Sequence, residues 1–152
     1  MSTTKPLEGI KVIEISTIIT ASLSAMMLSD QGAEVIKIEQ TGFGDPLRYL
    51  GTQKGGISAI FANTNRGKRS VELDLKIESD LAKAKKLISE ADVLINNFRP
   101  GVMDSLGLGK EDCKTLNKDL IYVAITGFGK EGPYANAPAY DHVVQALSLI
   151  HI

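Results

Sequence analysis

What most limits the fold of this chain is a rhythm. Short, β-branched apolar runs alternate with stretches of helical periodicity from one end to the other. IKVIEIS, residues 10–16, reads as a strand, and TASLSAMMLSDQ follows with Leu23, Met26 and Met27, after Ile19, at helical spacing. Gly32 stands where a C′ glycine would end that helix. EVIKIE (34–39) is a second strand and SVELDL (70–75) a third. Between them lie a glycine-rich loop over 41–56 and a short helix over 57–62. ESDLAKAKKLISEA carries Leu81, Ala84, Leu87 and Ile88 on one face, the pattern of an amphipathic helix. DVLINN (92–97) is a fourth strand, two short helices are expected over 102–106 and 110–116, and LIYVAIT (120–126) is a fifth strand. A last helix starts near Asp141.

Strand and helix in alternation predict an α/β fold: a doubly wound, Rossmann-like, mostly parallel sheet with helices on both faces. Nearly continuous apolar strands fit a sheet covered on both sides. The expected domain is residues 1–148. In such sheets ligands bind at the carboxyl ends of the strands. The segments that matter are therefore 17–22, 40–48, Lys76, 97–101 and 126–141.

With 17 basic and 18 acidic side chains the net charge is −1. Bulk charge gives no case for a nucleic acid or a membrane surface as partner. Cys113 is the one cysteine, so no internal disulfide can form, and a reducing compartment follows. The start, MSTTKPLEG, lacks a signal-peptide core, and no apolar run would span a bilayer. A cytoplasmic protein is the expectation.

The chemistry of the loops narrows the ligand. A dinucleotide site needs G-x-G-x-x-G after the first strand, and STIITASLS has no glycine. Glu39 ends strand two where a ribose-binding acid would sit, but without the glycines that is a weak sign of NAD. No P-loop is present. His142 and His151 are the only histidines, and no metal-ligand spacing involves them. Asp141 and His142 are adjacent, and adjacent helix residues do not face each other. Asp141 reads better as a helix N-cap. Cys113 reads as a small packed side chain. Arg66, Lys68 and Arg69, with Lys76 and Arg99 near the strand ends, form a basic group suited either to solvent or to phosphates.

Taken together, GIKVIEIS, LSDQGAEVIKIE, GFGDPLR, NRGKRSVELDLK, ADVLINNFRPGVMDSLGL and LIYVAITGFGKEGPYANAPAYDHVVQA resemble the amino-terminal part of the family III CoA-transferases. That group includes formyl-CoA and carnitine CoA-transferases and the α-methylacyl-CoA racemases. The resemblance runs from about Pro6 to Leu147, and it implies that residues 149–152 are a truncation tail. It implies a CoA-binding α/β domain, a second domain from later sequence that is absent here, and a homodimer of interlocked chains. It implies no permanent cofactor and no metal. Acyl-CoA and a carboxylic acid are the implied substrates, with CoA moving between them through an enzyme aspartyl-CoA thioester. The nucleophilic aspartate is expected beyond residue 152, so no catalytic residue is expected in this chain, and the isolated chain should be inactive.

Position by position, the resemblance implies that Ile18, Ile19 and Thr20 lie along CoA. Gln40 stands near the nucleotide, and Leu73, Asp74, Leu75 and Lys76 frame its adenine and phosphates. Asn97, Phe98 and Arg99 match an N-F/Y-R-P-G block in CoA contact, and Ser105 holds a position that is often basic. Pro138 and Ala139 line the pantetheine end, with Tyr140 and Asp141 in the acyl pocket. Where the racemase branch has a histidine, this chain has Tyr140, which favours a transferase. The alternatives are a racemase-type fragment and a CoA-binding module without activity. Thr20, Ala21 and Ser22 depart from the family's usual A-G-P, and Gln40 and Ser105 remove two positive charges.

Overall fold

A computed structural model describes residues 4–148. β1 (Lys11–Ile15) leads into α1 (Thr20–Asp30) and β2 (Glu34–Glu39). A 3-10 turn (Pro46–Tyr49) and a small antiparallel pair, β3 (Gln53–Lys54) and β4 (Ile57–Ser58), fill the glycine-rich loop before α2 (Ala59–Asn65). Then come β5 (Arg69–Glu72), α3 (Glu78–Ser89), β6 (Val93–Asn96), α4 (Val102–Ser105), α5 (Lys110–Leu116), β7 (Ile121–Ala124) and α6 (Asp141–Ser148).

The five long strands form one parallel sheet in the order β5-β2-β1-β6-β7. Counting only these five, that is the 3-2-1-4-5 order of a doubly wound fold. Strand alternation sends Val12, Val35 and Ile95 to one face, where they meet Ala21 and Ala25 of α1. Ile13, Ile15, Ile38 and Leu94 point the other way, against Ala84 and Ile88 of α3, Met103 of α4 and Cys113 of α5. The expected fold class is what the structure shows.

Two local readings differ. The large side chains of Leu23 and Met27 in α1, and of Ile19 just before it, lie outward, 40%, 54% and 42% exposed, while Ala21, Ser22, Ala25 and Met26 face the sheet. Small residues let the helix sit close to the strands. The expected helix over 57–62 is a strand followed by a helix. Ser58 caps it, its hydroxyl accepting from the Phe61 amide at 3.4 Å. Gly32 does end α1, at φ +108°, and Glu34 opens β2 directly after it.

No helix among the described residues is long and apolar enough to cross a membrane. Residues 149–152, expected to be a tail, lie outside the described residues.

Candidate functional site

The sheet reverses its direction of growth between β1 and β6, and such a reversal opens a crevice above their carboxyl ends. Two loops meet there, residues 17–20 after β1 and residues 97–99 after β6. The Asn97 side chain joins them. Its Oδ1 accepts from the Thr17 amide at 3.1 Å, and its Nδ2 donates to the Thr17 carbonyl at 2.7 Å and to Thr20 Oγ1 at 3.0 Å. Its polar groups are thus committed to the loop, and any effect on a ligand runs largely through the loop backbone. α1 begins at Thr20 without a side-chain cap and without an acidic residue in its first turn. Its first amides therefore lie at the carboxyl end of β1 without a capping side chain.

A buried charge cluster supports this loop from below. Glu14 and Lys37 are paired across β1 and β2 in strict register. Lys37 Nζ lies 2.6 Å from Glu14 Oε1 and 2.9 Å from Asp45 Oδ2. Lys68 Nζ reaches Glu14 Oε2 at 2.7 Å and donates to the Ser22 carbonyl at 2.7 Å and Asn65 Oδ1 at 2.9 Å. The hydroxyls of Ser16 and Ser22 donate to Glu14 Oε1 at 2.5 and 2.9 Å. Two cations and two carboxylates balance, which is what makes burial of all four tolerable. Burial alone would raise the Glu14 carboxyl, but Lys37 and Lys68 overcome it and hold Glu14 below its ordinary value. Burial pulls the Lys68 ammonium down, against the pull of Glu14. Ser22, one of the departures from A-G-P, supplies a hydroxyl that a proline could not.

Glu39 has a different job from binding ribose. Arg48 grips it with both arms, Nε to Oε2 at 2.8 Å and Nη2 to Oε1 at 2.6 Å. Ser70 Oγ donates to Oε1 at 2.6 Å and the Asp45 amide to Oε2 at 2.8 Å. Burial opposes ionisation, yet these donors hold the carboxyl at about 2. Both oxygens are occupied, so the NAD reading loses its last support.

The structure gathers most of the candidate residues on one edge of the sheet. Ile18, Ile19 and Thr20 follow β1, Gln40 follows β2, Leu73 to Lys76 follow β5, and Asn97, Phe98 and Arg99 follow β6. Leu73 is buried and its amide donates to the Glu39 carbonyl at 3.0 Å; Asp74 accepts from the Lys76 amide at 3.0 Å and turns the chain there. Pro138 and Ala139 are exposed and reach the end of β7 through Gly127. A Cβ on Gly127 would collide with that of Ala139. Tyr140 is 70% exposed, and Asp141 opens α6, accepting from Gln145 Nε2 at 2.6 Å. Ser105 turns its hydroxyl back to the Val102 carbonyl at 2.7 Å.

Of the five cations grouped by sequence, three are engaged elsewhere. Lys68 is in the buried cluster, Arg66 pairs with Asp30 at 2.5 Å, and Arg69 pairs with Glu34 at the foot of the sheet. Lys76 and Arg99 remain at the strand ends. Arg99 lines a small cleft of about 60 Å3 with Lys110 and Lys130, neither of which sequence reasoning had singled out. It also missed Asp45. The signal for the buried pair was legible, since KVIEI and EVIKIE place Glu14 opposite Lys37 when aligned in parallel. Cys113 is buried, and burial pushes its thiol to about 11, which leaves it inert. Among the described residues no three His, Cys, Asp or Glu side chains gather as metal ligands.

A doubly wound parallel sheet with its switch point between β1 and β6, and no glycine-rich fingerprint after β1, defines a Rossmann-like α/β domain without the dinucleotide-binding motif. A short-chain dehydrogenase/reductase family protein shares the fold at TM-score 0.52 and 18% identity, over 94% of this chain and 66% of that one. Residues 7–151 match the CoA-transferase family III, and the chain belongs to that family. It is 45% identical to an acetyl-CoA:oxalate CoA-transferase of Acetobacter aceti, over 94% of this chain and 37% of that protein. It is 37% identical to the human succinyl-CoA:glutarate CoA-transferase, over 100% of this chain and 35% of that protein. A CAIB/BAIF family protein from Brucella suis superimposes at TM-score 0.90 with 40% identity, over 95% of this chain and 39% of that one. The chain thus spans little more than a third of the length of these relatives.

Proposed function

We propose that this chain is the CoA-binding portion of an enzyme that moves CoA between an acyl-CoA and a carboxylic acid. The observation that carries the reading is the switch point between β1 and β6, where Asn97 ties the loop after β6 to the loop ahead of α1, and Arg99, two residues on, lines a cleft at the ends of β6 and β7. Its edge suits an extended ligand with phosphates at one end. The membership of the CoA-transferase family III supports CoA as that ligand.

In this reading Ile18, Ile19 and Thr20 run along CoA, Gln40 and residues 73–76 frame the nucleotide, and Asn97, Phe98 and Arg99 hold it from the other side. Ser105 stands beyond them, Pro138 and Ala139 follow the pantetheine, and Tyr140 and Asp141 border the acyl group. The chemistry begins when an aspartate carboxylate, outside this chain, attacks the thioester carbonyl. CoA leaves as thiolate and a mixed anhydride forms. The thiolate then attacks the aspartyl carbonyl, giving an aspartyl-CoA thioester and releasing the first acid. The acceptor carboxylate repeats both steps in reverse order and departs as the new acyl-CoA. Amide donors must face the oxyanion at each tetrahedral stage. In the complete enzyme, two interlocked copies would work together in the cytoplasm.

Two measurements test this on the chain itself. Calorimetric titration with CoA should give saturable binding; no heat at millimolar CoA would count against it. Mixing the chain with acetyl-CoA and labelled oxalate should give no CoA exchange, because the nucleophile is elsewhere. Robust turnover by the chain would overturn that assignment.

A further inference from the structure

Ile18 has φ +65°, the only non-glycine residue among the described residues with a positive φ. For a β-branched side chain that conformation is unfavourable, and it persists only where the surroundings fix it. Two groups do so. Asn97 clamps Thr17 on one side. On the other, the Ile18 amide donates to Asp45 Oδ1 at 3.1 Å. Asp45 is itself 1% exposed and held on every side. Its Oδ1 also accepts from the Leu47 amide at 2.9 Å, its Oδ2 meets Lys37 at 2.9 Å, and its amide donates to Glu39. An unbroken line of buried ion pairs therefore runs from Lys68 through Glu14 and Lys37 to Asp45, and ends on the amide of the one strained residue.

We propose that Asp45 is a positioning residue. It touches no ligand; it holds the Ile18 amide and so keeps the 17–20 loop in the backbone shape that lies along CoA. This rests on the CoA-binding reading above. Lys37 has further partners in Glu14, Ser16 and Ser22, so Asp45 is not needed to give that ammonium hydrogen bonds. What Asp45 adds is the link to the loop.

The test separates this role from charge balance. With Lys37→Met as background, removing the Asp45 charge leaves the Glu14–Lys68 pair neutral. There, Asp45→Asn keeps an acceptor for the Ile18 amide and Asp45→Ala does not. By calorimetry, the asparagine variant should bind CoA within about threefold of the unaltered chain, and the alanine variant roughly tenfold more weakly. Adding Ile18→Gly to the alanine variant should recover most of the loss, because glycine needs no anchor at that φ. Equal binding by the alanine and asparagine variants, or no recovery with glycine, overturns the proposal. If the background does not fold, the same substitutions are compared with Lys37 intact. Should the unaltered chain take up no CoA, the functional reading fails by itself. Hydrogen exchange of the Ile18 amide then decides the positioning claim. Slow exchange in the Asp45→Asn variant and fast exchange in the Asp45→Ala variant support it, and equal rates overturn it.

Discussion

Glu39 and Arg48 show how a residue that looked like a ligand contact became part of the scaffold. An acid at the end of a second strand carries the same letter whether it binds ribose or an arginine nine positions later. Only the fold decides, by bringing Arg48, Ser70 and the Asp45 amide to one carboxylate. The consequence is a pH dependence of known sign. Glu39 is held at about 2, below its ordinary 4.5, so its contribution is present above about pH 4.5 and is lost as pH falls toward 2. Arg48→Met removes the largest donor, lets the carboxyl rise, and should move acid unfolding up by about one pH unit or more. At neutral pH it should cost about 2 kcal/mol. Circular dichroism followed against pH reads both, and an unchanged acid midpoint would show that Arg48 does not hold Glu39. Single residues were the least legible level. The Glu14–Lys37 pair could be read from strand alignment, while Asp45 and Lys68 could not, because their partners lie far along the chain or across a loop of unpredictable path.

At the scale of elements the reading was closer, for a physical reason. β2 and α5 fall where apolar period and flanking glycines put them, since both signals are local. β5 begins one residue earlier and ends three residues sooner than expected, because SVELDL is apolar past the point where pairing to β2 stops at Glu72. α1 misled for a different reason. Of its larger apolar side chains only Met26 marks the buried side, and the rest of that side is alanine and serine, so Leu23 and Met27 lie outward. One close contact sets the path of the last loop. Gly127 touches Ala139 so closely that Gly127→Ala must push the 137–141 segment off the end of β7. This should cost about 1–3 kcal/mol in urea unfolding. The reciprocal Ala139→Gly should restore most of that loss in the double variant. Simple additivity of the two changes would mean that the contact does not fix the loop.

The whole molecule was the most legible level, since five strands in alternation with helices leave few topologies, and the family resemblance rests on blocks spread along the entire chain. What alternation does not reveal is the outer surface. Val143, Val144 and Leu147 of α6, with Tyr140 just ahead of it, recur at helical spacing, which predicts one apolar side, yet all four are exposed and α6 buries none of its residues. A second stripe of Ile19, Leu23 and Met27 lies open on α1. An eight-residue helix without core contacts is marginal in water, and burying such a stripe is the main way for it to persist. The 152-residue chain should therefore self-associate as its concentration rises, with a net charge of only −1 to oppose contact. Sedimentation velocity from micromolar to a few hundred micromolar should show the mean mass increasing. Val143→Lys with Leu147→Glu places charge on the stripe without touching the core, so it should hold the chain monomeric with an unchanged urea midpoint. A chain that stays monomeric across that range before substitution would mean that these side chains are tolerated in water singly, and that α6 forms without a partner surface.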